Sequence, residues 1–414
     1  PKSAIQGGCV YEDGSFGCFG ANVRSGELTD FDFTAGGVRY TGSHSGVLFY
    51  KPGEAVAYGS SGSSLLADGK AVPVRRFGEQ GPSELEVGSP HVDVQAKTVT
   101  VPYVLKGAGG IVTAQFLTNG VRVAESAATS LTGDVNRKVA GGPLGSREAS
   151  LVWHAGHDIP DFPHCDVTVL LSFWSEANPP DYMAVNLQVP NSVAYYTSTN
   201  ALPGGIGSDR WRTGELLMRK ILAKEVTFPM GKNSPDTSRI KEHSVTLTKD
   251  YYIGVYEVTQ KQWNMMMGNW PAYFHNDEPC RGLRPVENVE FSSIRSTEYP
   301  TTPSTTSFLG KLRTQSGDTV TFDLPSEAQW EFACRAGRYG AYWNNGEAIT
   351  GDDWDAAMQY RLGRYCWNGG KVDGKTLPPQ GSSTNLAHTV VGSFSPNGFG
   401  LYDMHGNVWE WCAD

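Results

Sequence analysis

No run of about 18 apolar residues occurs in this 414-residue chain, so no segment reads as a membrane-spanning helix. Charge is also scarce. Asp, Glu, Lys and Arg make up 19% of the residues, and 34 basic against 43 acidic side chains leave a formal charge of −9. Without a basic stripe, nucleic acid is excluded as a partner. The seven cysteines (Cys9, Cys18, Cys165, Cys280, Cys334, Cys366 and Cys412) include no CxxC pair, so a zinc ribbon is not expected. Cys9 and Cys18 stand close together in a glycine-rich stretch, where a bridge would suit an oxidising compartment. The start, PKSAIQGG, has neither an initiator Met nor the apolar core of a signal peptide and reads as trimmed, and the end reads as a cut.

What is present divides by texture. At roughly 100 to 200 residues per domain, two or three domains are expected. Residues 1–85 are rich in Gly and Ser with short apolar runs and read as a small β-rich segment. Across 86–200, seven runs rich in Val, Thr and aromatics (HVDVQ, KTVTVPYVL, IVTAQFLT, VRVAES, ASLVWH, CDVTVLLSFW, YMAVNLQV) predict an all-β, immunoglobulin-like sandwich. Asn119-Gly120 marks a tight hairpin within it, because a type I′ turn needs positive φ at both positions. The stretch NALPGGIGSDRW then reads as a turn-rich linker, and 211–414 as a further domain.

Nine of the eleven tryptophans fall in that last region, which predicts long irregular loops pinned by aromatic plugs. Two capping boxes place helices there. Thr259 and Gln262 start one that runs through Trp263, Met266 and Met267 to Gly268. Ser326 and Gln329 start another, with Trp330, Ala333 and Cys334 as its buried stripe and Gly337 as its stop. Helical spacing of apolar residues makes plain core the simplest role for them. The cluster His154, His157, Asp158, His164 and Cys165 holds metal-ligating residue types, but Gly156, Pro160 and Pro163 favour a polar turn between strands.

The ordered motifs VTFPMG, VTLTKDYYIGVYEVTQKQW, RPVENVEF, LPSEAQWEFACRAG and PNGFGLYDMHGNVWEW resemble the formylglycine-generating enzymes, or sulfatase-modifying factors. The resemblance implies an α+β, C-type-lectin-like domain over 211–414, incomplete at its C-terminus. Family enzymes oxidise a sulfatase cysteine to formylglycine with oxygen and a copper-binding cysteine pair downstream of WEW. That pair has no counterpart in this chain, so no catalytic residue is assigned, and copper is expected only in a full-length enzymatic relative. Cys334 matches a structural cysteine of the family, and Cys412 is expected to pack or to bridge locally. The resemblance also implies calcium at Asp403, Gly406, Val408 and Glu410, two carboxylates and two carbonyls of the kind a hard cation prefers. Asp403 stands where the family often has Asn. The alternative is that Asp403 and Glu410 simply cap and pair within the loop, and His405 between them reads as a structural surface residue.

Two functions follow as expectations. One is a secreted or cell-surface binding module for a protein or peptide ligand, catalytically silent as given. The other is a formylglycine-generating oxidase whose cysteine pair lies beyond residue 414.

Overall fold

A computed structural model describes residues 84–414 apart from 142–145, 160–161, 163–165, 232–240, 275–279, 338–341, 345–346, 350–362, 365–370, 373–374 and 377–387. Before residue 84 it describes four strands. Gly7–Val10 pairs with Phe16–Phe19, and Gly46–Lys51 with Glu54–Tyr58. The first register sets Cys9 opposite Gly17 and Cys18 opposite Gly8, and the side chains of both cysteines lie outside those described. His164, Cys165, Cys280 and Cys366 lie outside the residues whose side chains are described.

The chain forms two compact units, 1–123 with 130–179, and 124–129 with 180–414. In the first unit, Ser146–Trp153 pairs along its whole length with Thr98–Lys106, from Val99 to Lys106, and the pair is flanked by Leu131–Gly133 on one side and by Glu84–Val87 and His91–Asp93 on the other. A second antiparallel sheet centres on Gly110–Thr118, between Arg137–Val139 and Val167–Ser175. Val99, Val101, Tyr103 and Leu105 alternate into the interior, each side chain contributing about 1.5–3 kcal/mol by burial. Phe116 of one sheet stacks on Trp153 of the other with centroids 4.2 Å apart, so the two sheets face each other. Asn119 (φ 51°) and Gly120 (φ 76°) make the expected tight turn into Val121–Arg122.

Among the described members of the histidine cluster, Asp158 has a structural role. Asp158 ends one helical turn, Ala155–Asp158, and accepts hydrogen bonds from Ser130 N, Ser130 Oγ and Trp153 Nε1 at 3.0, 2.7 and 2.8 Å. That commits its carboxylate to the fold.

The second unit holds an antiparallel sheet in the order Val193–Tyr196, Tyr182–Asn186, Glu215–Ile221, Tyr251–Gly254. Tyr182–Asn186, the seventh strand of the anticipated sandwich, therefore belongs here. Tyr182, Met183, Ala184 and Val185 are all buried, as in a central strand covered on both faces, and such a run carries no alternation to say which sheet it joins. The anticipated linker is core as well. Leu202 and Trp211 are buried in one cluster with Tyr256 and Val391, and Trp211 Nε1 donates to Gly205 O at 2.8 Å.

Both capping boxes form. Gln262 Oε1 accepts from Thr259 N at 2.9 Å, and Gln329 Oε1 from Ser326 N at 2.9 Å, starting helices Gln260–Met267 and Glu327–Arg335. Gly268 (φ 79°) stops the first, while Ala336 (φ 46°) takes the left-handed position one residue before the expected Gly337. The inward faces differ from expectation. Gln260, Gln262 and Trp263 are buried rather than Met266 and Met267, because the Gln262 amide donates to Trp211 O and Glu215 O at 2.9 and 2.7 Å and is thereby satisfied. In the second helix Phe332, Ala333 and Cys334 are buried and Trp330 is half-buried. A third helix, Phe308–Gln315, stacks Phe308 on Trp263 at 5.0 Å. No helix among the described residues is long and apolar enough to cross a membrane.

Candidate functional site

The segment 397–410 has no regular structure, and its shape is imposed by hydrogen bonds and left-handed backbone. Asn397 is its anchor. Its amide donates to Ala333 O and Cys334 O at 2.8 and 3.1 Å, and its oxygen accepts from Phe399 N and Leu401 N at 3.0 and 3.1 Å, tying the loop to the end of helix Glu327–Arg335. Leu401 and Met404 plug the core beside Phe332 and Cys334. Tyr402 stacks on Tyr256 at 4.8 Å, and its N–H donates to Val255 O.

Between these plugs the chain turns inward. Asp403 (φ 59°) and Asn407 (φ 67°) adopt the left-handed conformation that Asn and Asp tolerate best. Gly406 has φ 143°, and a Cβ there would fall 2.2 Å from Arg364 O, so only glycine fits. Asn407 N donates to that same Arg364 carbonyl at 2.6 Å. Because a trans peptide sets N–H and C=O in opposite directions, this bond turns the Gly406 carbonyl away from Arg364.

Asp403 is buried, with 2% of its surface exposed. Oδ2 accepts from Gly392 N at 2.6 Å, whereas Oδ1 is buried with no hydrogen-bond partner among the described residues. Burial pushes its pKa up to about 6, against the lowering effects of the Gly392 bond and of Arg212. Glu410 is exposed on the chain's surface, yet the protein packed around its carboxyl raises its pKa to about 7, with the Trp330 indole lowering it and Asp403 raising it. Neither the Gly406 nor the Val408 carbonyl accepts a backbone hydrogen bond among the described residues.

A third acid joins them. Glu257 accepts from Asn407 Nδ2 at 2.6 Å and from Val408 N at 3.3 Å, and burial together with the charges of Asp403 and Glu410 raises its pKa well above the carboxylate range. Sequence reasoning missed it, although it lies within the quoted motif YEVTQKQW. The available signal was an acid wedged between core residues Val255 and Tyr256 and the cap Thr259. Among the described residues, no three His, Cys, Asp or Glu side chains are placed to hold a metal ion by themselves. Any cation here would need the loop carbonyls as well.

His405 is half-buried rather than on the surface, its Nδ1 4.0 Å from Cys334 Sγ. Cys334 donates to Met404 O at 3.3 Å, and burial pushes its pKa to about 12. Burial and the carboxyls of Glu410, Asp414 and Glu327 bring Cys412 to about 11. Both are free thiols, and both stay protonated at neutral pH. Past the loop, Ala413 N donates to Pro325 O, and the Asp414 carboxylate accepts from Glu327 N in the first turn of the second capped helix.

Residues 214–414 match the sulfatase-modifying factor enzyme 1-like domain. Through these residues the chain belongs to the sulfatase-modifying factor family. It is 31% identical over 219 residues to the chaperone protein LppX of Paenibacillus barcinonensis, covering 46% of this chain and 70% of that protein. It is 38% identical over 96 residues to the formylglycine-generating enzyme of Thermomonospora curvata, and 37% identical over 92 residues to that of Streptomyces coelicolor. These two matches each cover 22% of this chain and 26% of the enzyme, so the chain aligns with about a quarter of their length. No solved structure matches the chain.

Proposed function

We propose that residues 214–414 form a binding module for a protein or peptide ligand on a C-type-lectin-like version of the family fold, held in shape by calcium at Asp403, Gly406, Val408 and Glu410. The observation that carries this is the buried, unpartnered Oδ1 of Asp403. An isolated buried carboxylate oxygen costs free energy unless something positive meets it, and a hard divalent ion beside free carbonyls would do so. When bound, calcium supplies positive charge and no redox chemistry. The chain's own residues do the shaping: Asn397 and Arg364 fix the backbone, Gly406 gives it room, and Leu401 and Met404 exclude water. An Asp at 403 adds charge and favours tighter binding.

In this reading the module is catalytically silent. Copper(I) sites are built from paired thiolates, and of the two free thiols among the described residues Cys334 is buried in the core and donates to the Met404 carbonyl. The name of the LppX relative, a chaperone, accords with a protein-binding role. The two facing sheets of the first unit accord with an immunoglobulin-like companion domain outside the cell. The alternative, a formylglycine-generating oxidase, draws on the identity with the named enzymes. Thermal unfolding tests the calcium reading: calcium should raise the melting midpoint of chelator-treated protein, and Glu410→Gln should remove the rise. A midpoint indifferent to calcium and chelator overturns it.

A further inference from the structure

Glu257 lies outside the loop, two residues before the Thr259 cap, yet its two carboxylate oxygens divide between two donors of the loop, Asn407 Nδ2 and Val408 N. Those donors stand between and beside the carbonyls of Gly406 and Val408. Asn407 is held from a second side too, its oxygen accepting from Thr389 N at 2.8 Å. An amide side chain in place of Glu257 could not serve both donors, since one of its two polar ends is itself a donor. The acid is thus the side chain of this length that lets both oxygens accept, one from the Asn407 amide and one from the Val408 backbone. The three carboxyls are not arranged to grip an ion by themselves, so Glu257 acts through the loop.

We propose that Glu257 is the positioning residue of the calcium site: it holds Asn407 and Val408 so that the Gly406 and Val408 carbonyls face the ion with Asp403 and Glu410. This rests on the calcium reading above, and one experiment separates the two. Calcium affinity is measured by competition with terbium on chelator-treated wild type and Glu257→Gln, with the melting midpoint of each recorded in chelator. Partners that orient metal ligands typically change affinity by 10- to 100-fold, so Glu257→Gln should weaken calcium by roughly tenfold or more. Its midpoint should fall by less in chelator than in calcium, because the lost acceptor costs stability in both conditions and the weakened ion binding only in one.

A midpoint lowered equally with and without calcium, at unchanged affinity, would mark Glu257 as structural only and overturn the proposal while leaving the calcium site standing. Wild type that binds no calcium overturns the calcium reading and this inference together. Should Glu257→Gln fail to fold, Asn407→Gly, which suits the left-handed backbone there, removes the amide that Glu257 holds. It should lose affinity in the same way, and full affinity in that variant is equally fatal to the proposal.

Discussion

Replacing Asp403 by Asn tests the energetics of the loop with the least disturbance of its shape. Asn tolerates the φ of 59°, and its carbonyl can still accept from Gly392 N, while the charge that burial penalises is gone. Moving this carboxyl from 3.8 to about 6 corresponds to about 3 kcal/mol. The sign follows from proton counting. Between about pH 4 and pH 6 the folded chain keeps a proton that the unfolded chain has released, so without calcium stability falls as pH rises through that window and stays low above it. At pH 7.5 in chelator, Asp403→Asn should therefore stabilise the second unit by up to about 3 kcal/mol, or roughly 6–12 °C in melting midpoint. The variant should also lose Asp403's share of the decline between pH 4 and 6. In saturating calcium the advantage should shrink or reverse, because the ion stabilises the carboxylate and not the amide. Melting curves across pH 4 to 8, with calcium and with chelator, provide the assay. A variant that melts lower in chelator at pH 7.5, or that keeps the full wild-type slope, would refute the view that Asp403 is a buried charge awaiting a cation.

Gly406→Ala should destabilise the unit by at least about 2 kcal/mol and abolish any calcium response, since its Cβ would meet the Arg364 carbonyl; thermal melts with and without calcium check both effects. With copper, oxygen and a sulfatase-type Cys-x-Pro-x-Arg peptide, mass spectrometry should find no aldehyde, and Cys412→Ser should change nothing; turnover that vanished with that substitution would show a working thiol at Cys412.

Much of this was legible in the sequence wherever the cause is local. The Thr259–Gln262 and Ser326–Gln329 boxes, the Asn119-Gly120 turn and the strands Thr98–Lys106 and Gly110–Thr118 each carry their signal within a few residues. Tyr182–Asn186 was visible as a strand but not as a member of the second unit, because a strand buried on both faces has no polar side to give its partner away. Gln262 was legible as a cap but not as buried, because its burial depends on the Trp211 and Glu215 carbonyls, the first of which arrives from a segment that itself read as a linker. The loop positions Asp403 and Glu410 were reached through the family's motif. Glu257 was not, since it sits about 150 residues away and only the fold brings it to Asn407.

The most direct test is a calorimetric titration of calcium into chelator-stripped protein, run in parallel on wild type and Glu410→Gln. The account predicts binding by wild type at the 403–410 loop and its loss in the variant, with Asp403 and Glu410 releasing protons as the ion binds. Absence of binding to folded wild type, or equal binding by both proteins, would contradict it.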